Sequence, residues 1–443
     1  MLHFVQNEYY KLYNFYLFFK NAYIDLLFVI NMKGKNKFFT ILILGLLSAI
    51  GPFSIDMYLP GFPDIAKEFH STVAYISLSL SSFFIGIAFG QLLYGPLLDR
   101  FGRKRPLYIG MFAYLLASIG CAFCTTADAL IGIRLLQALG GCVGMVAARA
   151  MVRDLFPVED NAKIFSLLML VVAVSPIIAP TLGGYVTAAF GWQSIFVILA
   201  GIAAFTLAAV YFALPESRLP DTSVSMRPKI IVRNFLIISK VPQFYTYAFT
   251  GSIAAAGLYA YIAGSPHVFM ELFKVNEKQY GWIFATIAMG LILASQVNTL
   301  MLRKYTSEQI IRIALLCQTI TGILLFMGSL YHLLGLFSTI FLIFIFLSCQ
   351  GFTFPNSSAL SMAPFSKNAG SASALMGAIQ LGIGAISSVL VSILHNETAL
   401  PMAGVMACCA LVSFVVLLLG RKVIYRTNME SVQEESAEMM ITS

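Results

Sequence analysis

Apolar residues in this chain do not alternate with polar ones. They come in near-continuous runs over 38–58, 73–94, 107–125, 128–150, 164–188, 193–214, 244–266, 279–301, 309–330, 335–356, 371–394 and 400–420. A hydrocarbon layer roughly 30 Å thick takes about 20 such residues in a helix, so the pattern predicts twelve transmembrane helices. The longest polar interruption, 215–243, carries Pro215, Arg218, Pro220, Arg227, Lys229, Arg233 and Lys240. It separates an N-terminal six-helix half over 38–214 from a C-terminal six-helix half over 244–420, the pattern of two repeats joined by a central loop. The reading is an all-α polytopic membrane protein.

The ends fit less neatly. Residues 1–37 precede the first run, and 1–31 within them are aromatic and apolar but interrupted by Lys20 and Asp25. They lack the charged region, apolar core and small-residue cleavage site of a signal peptide. The segment reads as an extension, with Met32, which opens MKGKNKFFTIL, as an alternative start. The tail 421–443 is polar and acidic and reads as disordered.

Of the 443 residues 59% are hydrophobic and 11% charged, against about 25% charged in soluble domains. A net charge of +8 in a soluble protein would suggest nucleic acid, but here the cations sit in short loops between apolar runs. Alternate loops carry 21 Lys and Arg residues on one side and only Lys67, Lys274 and Lys278 on the other. The positive-inside rule then puts both termini in the cytoplasm. Trp192 and Trp282 fall near span ends on the opposite side, where indole rings favour the membrane interface.

Candidate chemistry is sparse. The seven cysteines lie inside apolar runs and the five histidines stand singly, with no HExxH and no GxxxxGK[ST]. Neither a metal nor a nucleotide cofactor is implied, no catalytic constellation points to an enzyme, and energy for transport has to come from a gradient. An ionised group at lipid depth costs at least about 2.5–3.5 kcal/mol. Of the acids only Asp56, in SIDMYLPGFP, lies clearly inside such a run; of the cations Arg134, in IGIRLLQALGG, is the most deeply enclosed, while Arg149 stands at the end of its span, where it can snorkel. The positions of Asp56 and Arg134 along spans 1 and 4 give them similar depths. Desolvation and an adjacent cation act oppositely on a carboxyl, so moving Arg134 relative to Asp56 would load or release a proton. A fixed ion pair between two helices is the competing interpretation. The loop GPLLDRFGRKRPL from Gly95 to Leu107 is the densest charge cluster. Its cations serve topology, and Asp99 is suited to the positive end of another helix. SPIIAPTLGG predicts a bent fifth span lying close to a neighbour.

GPLLDRFGRK resembles the loop signature of the major facilitator superfamily at Gly95, Leu97, Asp99, Arg100, Gly102, Arg103 and Lys104, and IRLLQALGG resembles its span-4 signature through Arg134, Gln137, Gly140 and Gly141. SIDMYLPGFPDIA, ARAMVRDLF, SPIIAPTLGG, YIAGSPHVF and GSASALMGAIQ are similar to the bicyclomycin-resistance (Bcr/CflA) branch of drug:proton antiporters. The resemblance implies a multi-pass transporter of the bacterial inner membrane that exports drugs or other small amphipathic molecules in exchange for protons by alternating access. It implies Asp56 as proton site, Arg134 as its coupled switch, Gly95, Asp99, Arg100, Gly102, Arg103 and Lys104 as the conformational-switch loop, and Pro176, Pro180, Gly183 and Gly184 as the antiporter-type helix. Residues expected at the interface between the halves, and so toward a substrate cavity, are Tyr58, Gln137, Tyr259, Tyr261, Phe352, Phe354, Asn356 and Gln380. The expected partners are the lipid bilayer, protons and a small-molecule substrate, with no nucleic acid, and the chain is expected to work as a monomer. The alternative is a proton-driven exporter of an endogenous metabolite such as an amino acid, short peptide or siderophore-like compound.

Overall fold

A computed structural model of the chain describes residues 35–221, 228–365 and 369–442. The expectations for residues 1–31 and Met32 lie outside the described residues. Twelve helices are long and apolar enough to cross a membrane. They are α1 (Lys35–Asp56), α2 (Val73–Phe101), α3 (Lys104–Ala122), α4 (Ala127–Leu155), α5 (Val158–Phe190), α6 (Gln193–Ala213), α7 (Pro242–Pro266), α8 (Glu277–Met301), α9 (Ser307–Leu330), α10 (Leu336–Met362), α11 (Ala369–Ile393) and α12 (Leu400–Thr442).

Local chemistry sets their ends. Thr72, Thr126, Asn276 and Thr306 cap the N-termini of α2, α4, α8 and α9 with side-chain oxygens, satisfying amides that have no partner within the helix. In α8 and α9, Gln279 and Gln309 complete the reciprocal capping box. Gly102, at φ +81°, ends α2 in a conformation that favours glycine and lets α3 begin two residues later. α1 stops at Asp56 because Pro60 follows: its ring clashes with the carbonyl four residues back and it has no N–H to continue the ladder. A 3-10 turn Leu59–Gly61 and a short helix Phe62–Glu68 carry the chain onward.

Three features depart from expectation. Several helices overrun the apolar runs, since a helix satisfies its own backbone whether or not lipid surrounds it. Pro228–Ser239 is helical inside the central polar stretch. The C-terminal tail is also helical, α12 continuing to Thr442; after Pro401 only Gly404 and Gly420 interrupt good helix formers, and the Glu, Gln, Ala and Met residues of 429–440 sustain it.

α2 packs on α4, α3 on α4 and α6, and α1 on α4 and α5 in the N-terminal half. In the other half α7 packs on α10, α11 and α12, and α9 on α10 and α12. The halves meet chiefly where α2 lies against α11 and α5 against α8. One end of the bundle carries most of the loop cations and is called the basic end; the other is the far end. The far end is sealed. Ser77 and Ser392 hydroxyls are 2.5 Å apart, Ser81 donates to Ser388 at 2.7 Å, and Thr181 donates to the Gly281 carbonyl at 3.3 Å. Among the described residues the inter-half hydrogen bonds between helices all lie toward this end, and no neighbouring heavy atom lies within 4 Å of the Cβ position of Gly95, near the basic end of α2. Trp192 is not at an interface. It is 2% exposed, and its indole N–H donates to Glu68 at 2.7 Å, because the short helix Phe62–Glu68 folds over the far end and covers it. Trp282 is exposed.

In α5, Pro176 cannot bond the Val172 carbonyl, which the Ser175 hydroxyl takes at 2.8 Å. Two turns on, Gly183 and Gly184 sit in the two closest approaches of this helix. A Cβ on Gly183 would run into the Met57 carbonyl of the same half, and one on Gly184 into the Glu277 carbonyl of the other half. The two sites therefore separate folding from closure. Gly183→Ala is expected to cost about 1–3 kcal/mol, read as a lower melting temperature in detergent. Gly184→Val is expected to leave each half folded but hold the far end open, so that Ser392→Cys reacts several-fold faster with a membrane-impermeant maleimide.

Candidate functional site

The break after Asp56 leaves the last carbonyls of α1 without helical partners. Arg134 of α4 fills that need: its Nη2 donates to the Ser54 carbonyl at 2.8 Å, and its Nη1 donates to Gln137 Oε1 at 2.6 Å. A cation at a helix C-terminus also meets the negative end of the helix dipole. The guanidinium lies over the rings of Phe83 at 4.1 Å and Tyr58 at 4.3 Å, and Arg134 is 0% exposed. The polar contacts continue: Gln137 donates to Ser118 at 2.8 Å, Ser118 to the Tyr114 carbonyl at 2.8 Å, and the Tyr114 and Ser54 hydroxyls are 2.7 Å apart. One buried network thus ties α1, α3 and α4 together.

Asp56 is two residues past the carbonyl that Arg134 holds, yet the two side chains do not pair. Asp56 is 4% exposed and has no ion-pair partner within 4 Å among the described residues. It faces the other half, where it interacts electrostatically with Tyr259, Tyr261 and Tyr280. Tyr280 shares a 2.7 Å hydrogen bond with Ser265, and Gln380 of α11 lies beside Tyr259. The Tyr261 hydroxyl is buried without a hydrogen-bond partner among the described residues. The fixed pair between spans 1 and 4 that similar depth allows is therefore not made: Arg134 grips backbone, and the carboxyl is left at the joint.

At the basic end, Arg103 is the hub of the Gly95–Lys104 loop. Its Nε donates to Asp154 of α4 at 2.7 Å and its Nη1 to Asp99 at 2.8 Å. Glu216 accepts from the backbone amides of Arg103 at 2.9 Å and Lys104 at 3.2 Å, capping the start of α3. Lys104 Nζ donates to the Leu214 carbonyl at 2.7 Å. Asp99 also accepts from Arg218 at 3.4 Å. Arg100 lies near the Phe101 ring, 5.9 Å from its centroid. Burial works to lower the Arg103 pKa, and the hydrogen bonds that the guanidinium donates to the Asp154 and Asp99 carboxylates outweigh it and raise it. The start of the central loop is thereby fastened to the loop between α2 and α3.

The other expected residues divide. Tyr58 is buried with its hydroxyl 3.0 Å from Ser79, Gln137 serves Arg134, and Asn356 donates to Asn298 at 2.6 Å. These three are packed within their own halves rather than at a cavity. Tyr259, Phe352 and Gln380 are half-buried and Phe354 is exposed; Tyr259 packs edge-on against Phe84 across the joint, at 4.8 Å. Pro180, Gly183 and Gly184 lie where α5 meets the end of α1 and the start of α8, and Pro176 stands about one turn before Pro180 in the same helix. Asp154, Glu216, Ser54, Ser118 and Tyr280 were not singled out by sequence. For the two acids a signal exists, since each stands at a span end beside the basic cluster. For the others, small hydroxyls and a ring in apolar runs, no signal distinguishes them from packing.

A family model described as Major Facilitator Superfamily matches residues 44–389. The chain is 32% identical over 381 residues to a bicyclomycin resistance protein homolog of Haemophilus influenzae, covering 86% of this chain and 96% of that one. It is 28% identical to a chloramphenicol resistance protein of Pseudomonas aeruginosa, covering 85% and 89%. Among solved structures it superposes on a D-xylose–proton symporter with TM-score 0.68 at 13% identity, covering 86% and 97%. It also superposes on a bacterial homologue of the lysosomal transporter Spinster, with TM-score 0.67 at 13% identity, covering 88% and 96%. With twelve membrane-crossing helices and a family match over most of its length, the chain belongs to the major facilitator superfamily of membrane transporters.

Proposed function

We propose that the protein exports small amphipathic molecules, drugs among them, in exchange for protons, with Asp56 as the proton-carrying group. The observation that carries this reading is the Asp56 carboxyl, buried at the joint between the halves with no ion-pair partner among the described residues. A carboxylate closed off from water without a counter-ion is costly at membrane depth, and a proton removes the charge. The cost therefore ties the opening and closing of the joint to proton uptake and release. The names of the bicyclomycin and chloramphenicol resistance relatives support drugs as substrates.

By the positive-inside rule the basic end faces the cytoplasm, which places both termini there and makes the sealed far end the outer one. The arrangement described is then the one closed to the outside. Tyr259, Phe352 and Gln380, all half-buried, offer a substrate aromatic surface and a few hydrogen-bonding groups, which suits neutral or moderately amphipathic compounds. Substrate entering from the cytoplasm or inner leaflet displaces the proton from Asp56, which leaves inward. The halves then rock about the α2–α11 and α5–α8 contacts, the far end opens, substrate departs outward, and Asp56 takes up an outer proton for the return. Arg134 keeps the end of α1 fixed through the cycle, so the carboxyl moves with its half. In this reading the protein sits in the bacterial inner membrane and one chain suffices.

Two measurements test the assignment. In everted vesicles energised to an acid interior, a pH-sensitive dye is expected to report proton release when a substrate is added to wild type, and no release with Asp56→Asn. An undiminished response in the mutant overturns the role of Asp56. Stability separates Asp56 from its neighbour: Arg134→Ala leaves the Ser54 carbonyl and Gln137 without their partner and is expected to cost about 2–4 kcal/mol. Asp56→Asn removes no ion pair and is expected to melt within a few degrees of wild type.

A further inference from the structure

Near the far-end seal, where α7 continues into the π-helical turn His267–Leu272, two histidines meet. The rings of His267 and His395, the latter in the turn between α11 and α12, are 4.3 Å apart between centroids and cross edge to face at 77°. His267 Nδ1 is hydrogen-bonded to Glu271 one turn on. His267 is 8% exposed, and its Nε2 is buried with no hydrogen-bond partner among the described residues. Leaving such an atom unmatched costs about 1–3 kcal/mol, which a purely packing role would not require. Both rings line one pocket together with Ala74 and Ser77 of α2 and Ser392 of α11. The pocket therefore spans the joint between the halves and contains the Ser77–Ser392 contact that helps close it.

Two elements packed on the His267–Leu272 turn bring charges to its surroundings: the short helix Phe62–Glu68 carries Asp64, Lys67 and Glu68, the last held by Trp192 and Gln193, and α8 opens with Glu277 and Lys278. Glu271 comes from the same turn as His267, and Glu397 from the turn that carries His395. α2 contributes Ala74 and Ser77, and α12 contributes Pro401 and Met402, none of them titratable. Burial first, and the neighbouring His267 second, push the His395 imidazole below its ordinary pKa, against the opposing pull of Glu271 and Glu397.

We propose that His267 and His395 form a second proton-binding site, which holds the far end shut while the two rings carry at most one proton and releases it when both are protonated. Neutral imidazole edge to face is a favourable ring contact; two imidazolium ions at the same spacing repel. Relief of that repulsion moves the segment 392–395 away from α7, and Ser392 leaves Ser77 with it. A group whose charged form is disfavoured in the closed state stabilises that state above its solvent-exposed pKa, about 6.5 for histidine. That stabilisation is lost as pH falls. The inference rests on the proposed export cycle only for its use: an acid outer face would open the outer gate and give Asp56 access to protons.

The latch is tested without any substrate. Spin labels are placed at Thr125→Cys and Leu333→Cys, exposed far-end positions on the two halves, in the full chain with its native cysteines replaced by serine. Their separation is measured by double electron–electron resonance while the pH falls from about 8 to about 5, the range in which histidines change charge. The expected result is a long-distance population that rises at least about threefold on acidification, no such rise in His395→Gln, and a long-distance population already dominant at the higher pH in His395→Lys, which fixes a cation there. His395→Gln opening as the parent does, or a parent that does not respond, overturns the latch. Asp56→Asn in the same background distinguishes the two proposals. If its response is lost while that of His395→Gln persists, the carboxyl alone senses pH, so the latch falls and the export reading stands. If acidification opens Asp56→Asn as it does the parent while His395→Gln stays closed, the latch stands whatever the vesicle assay says of Asp56.

Discussion

The arrangement depends on one contact, the Arg134 guanidinium on the Ser54 carbonyl. Pro60 forces α1 to stop near the end of its apolar run, at residues still buried in the bundle, where unmatched carbonyls are expensive. A fully buried arginine is equally expensive without acceptors. Each solves the other's problem, and the aromatic rings of Phe83 and Tyr58 over the guanidinium add attraction that is strongest when desolvated. Gln137, Ser118 and Tyr114 extend the match to α3, so that the end of α1 is fixed by hydrogen bonds rather than by apolar packing alone.

This contact also decides what Asp56 is free to do. Had Arg134 paired with the carboxyl, the charge would be neutralised inside one half and the other half would have no reason to respond to it. Because the arginine is engaged by backbone, the charge state of Asp56 is a matter between the halves. The groups within its electrostatic reach on the far side of the joint are Tyr259, Tyr261 and Tyr280, phenols that bring no fixed charge to it. In the proposed cycle that is the property required: a partner strong enough to pair with the carboxylate permanently would stop the transporter in one state.

Twelve helices and the pair of residues at membrane depth were legible because apolar runs and intramembrane charges are read from composition along the chain, independent of packing. The bond that Arg134 makes was not, since it goes to a carbonyl, and every residue has one. The same limit explains Tyr58, Gln137 and Asn356: a polar or aromatic residue in an apolar run has one appearance in sequence whether it faces a cavity or a neighbouring helix, and helix rotation decides. Trp192 was misplaced for a related reason, because a seven-residue helix, Phe62–Glu68, covers the surface where an indole would otherwise meet lipid headgroups. The glycines of SPIIAPTLGG announced close contact correctly, but not that one serves folding and its neighbour serves the joint.

The two ends of the bundle are held by different kinds of bond, and the difference bears on reversibility. At the basic end, charged groups join α2, α3 and α4 to the start of the central loop through Arg103, Asp99, Asp154 and Glu216, all within or beside one half. Such bonds can be strong, because they need not break when the halves move. The far-end seal between halves is built from hydroxyl pairs, a hydroxyl on a carbonyl and close glycine contacts. Neutral hydrogen bonds of this kind contribute about 0.5–1.5 kcal/mol each net, so a few of them sum to an amount that differences in proton binding between two states can match. A seal of ion pairs at this depth would be costly to form and costly to break. Weak neutral contacts across the joint and strong charged ones within a half are the combination that the proposed cycle requires, in which two rigid halves change partners without either coming apart.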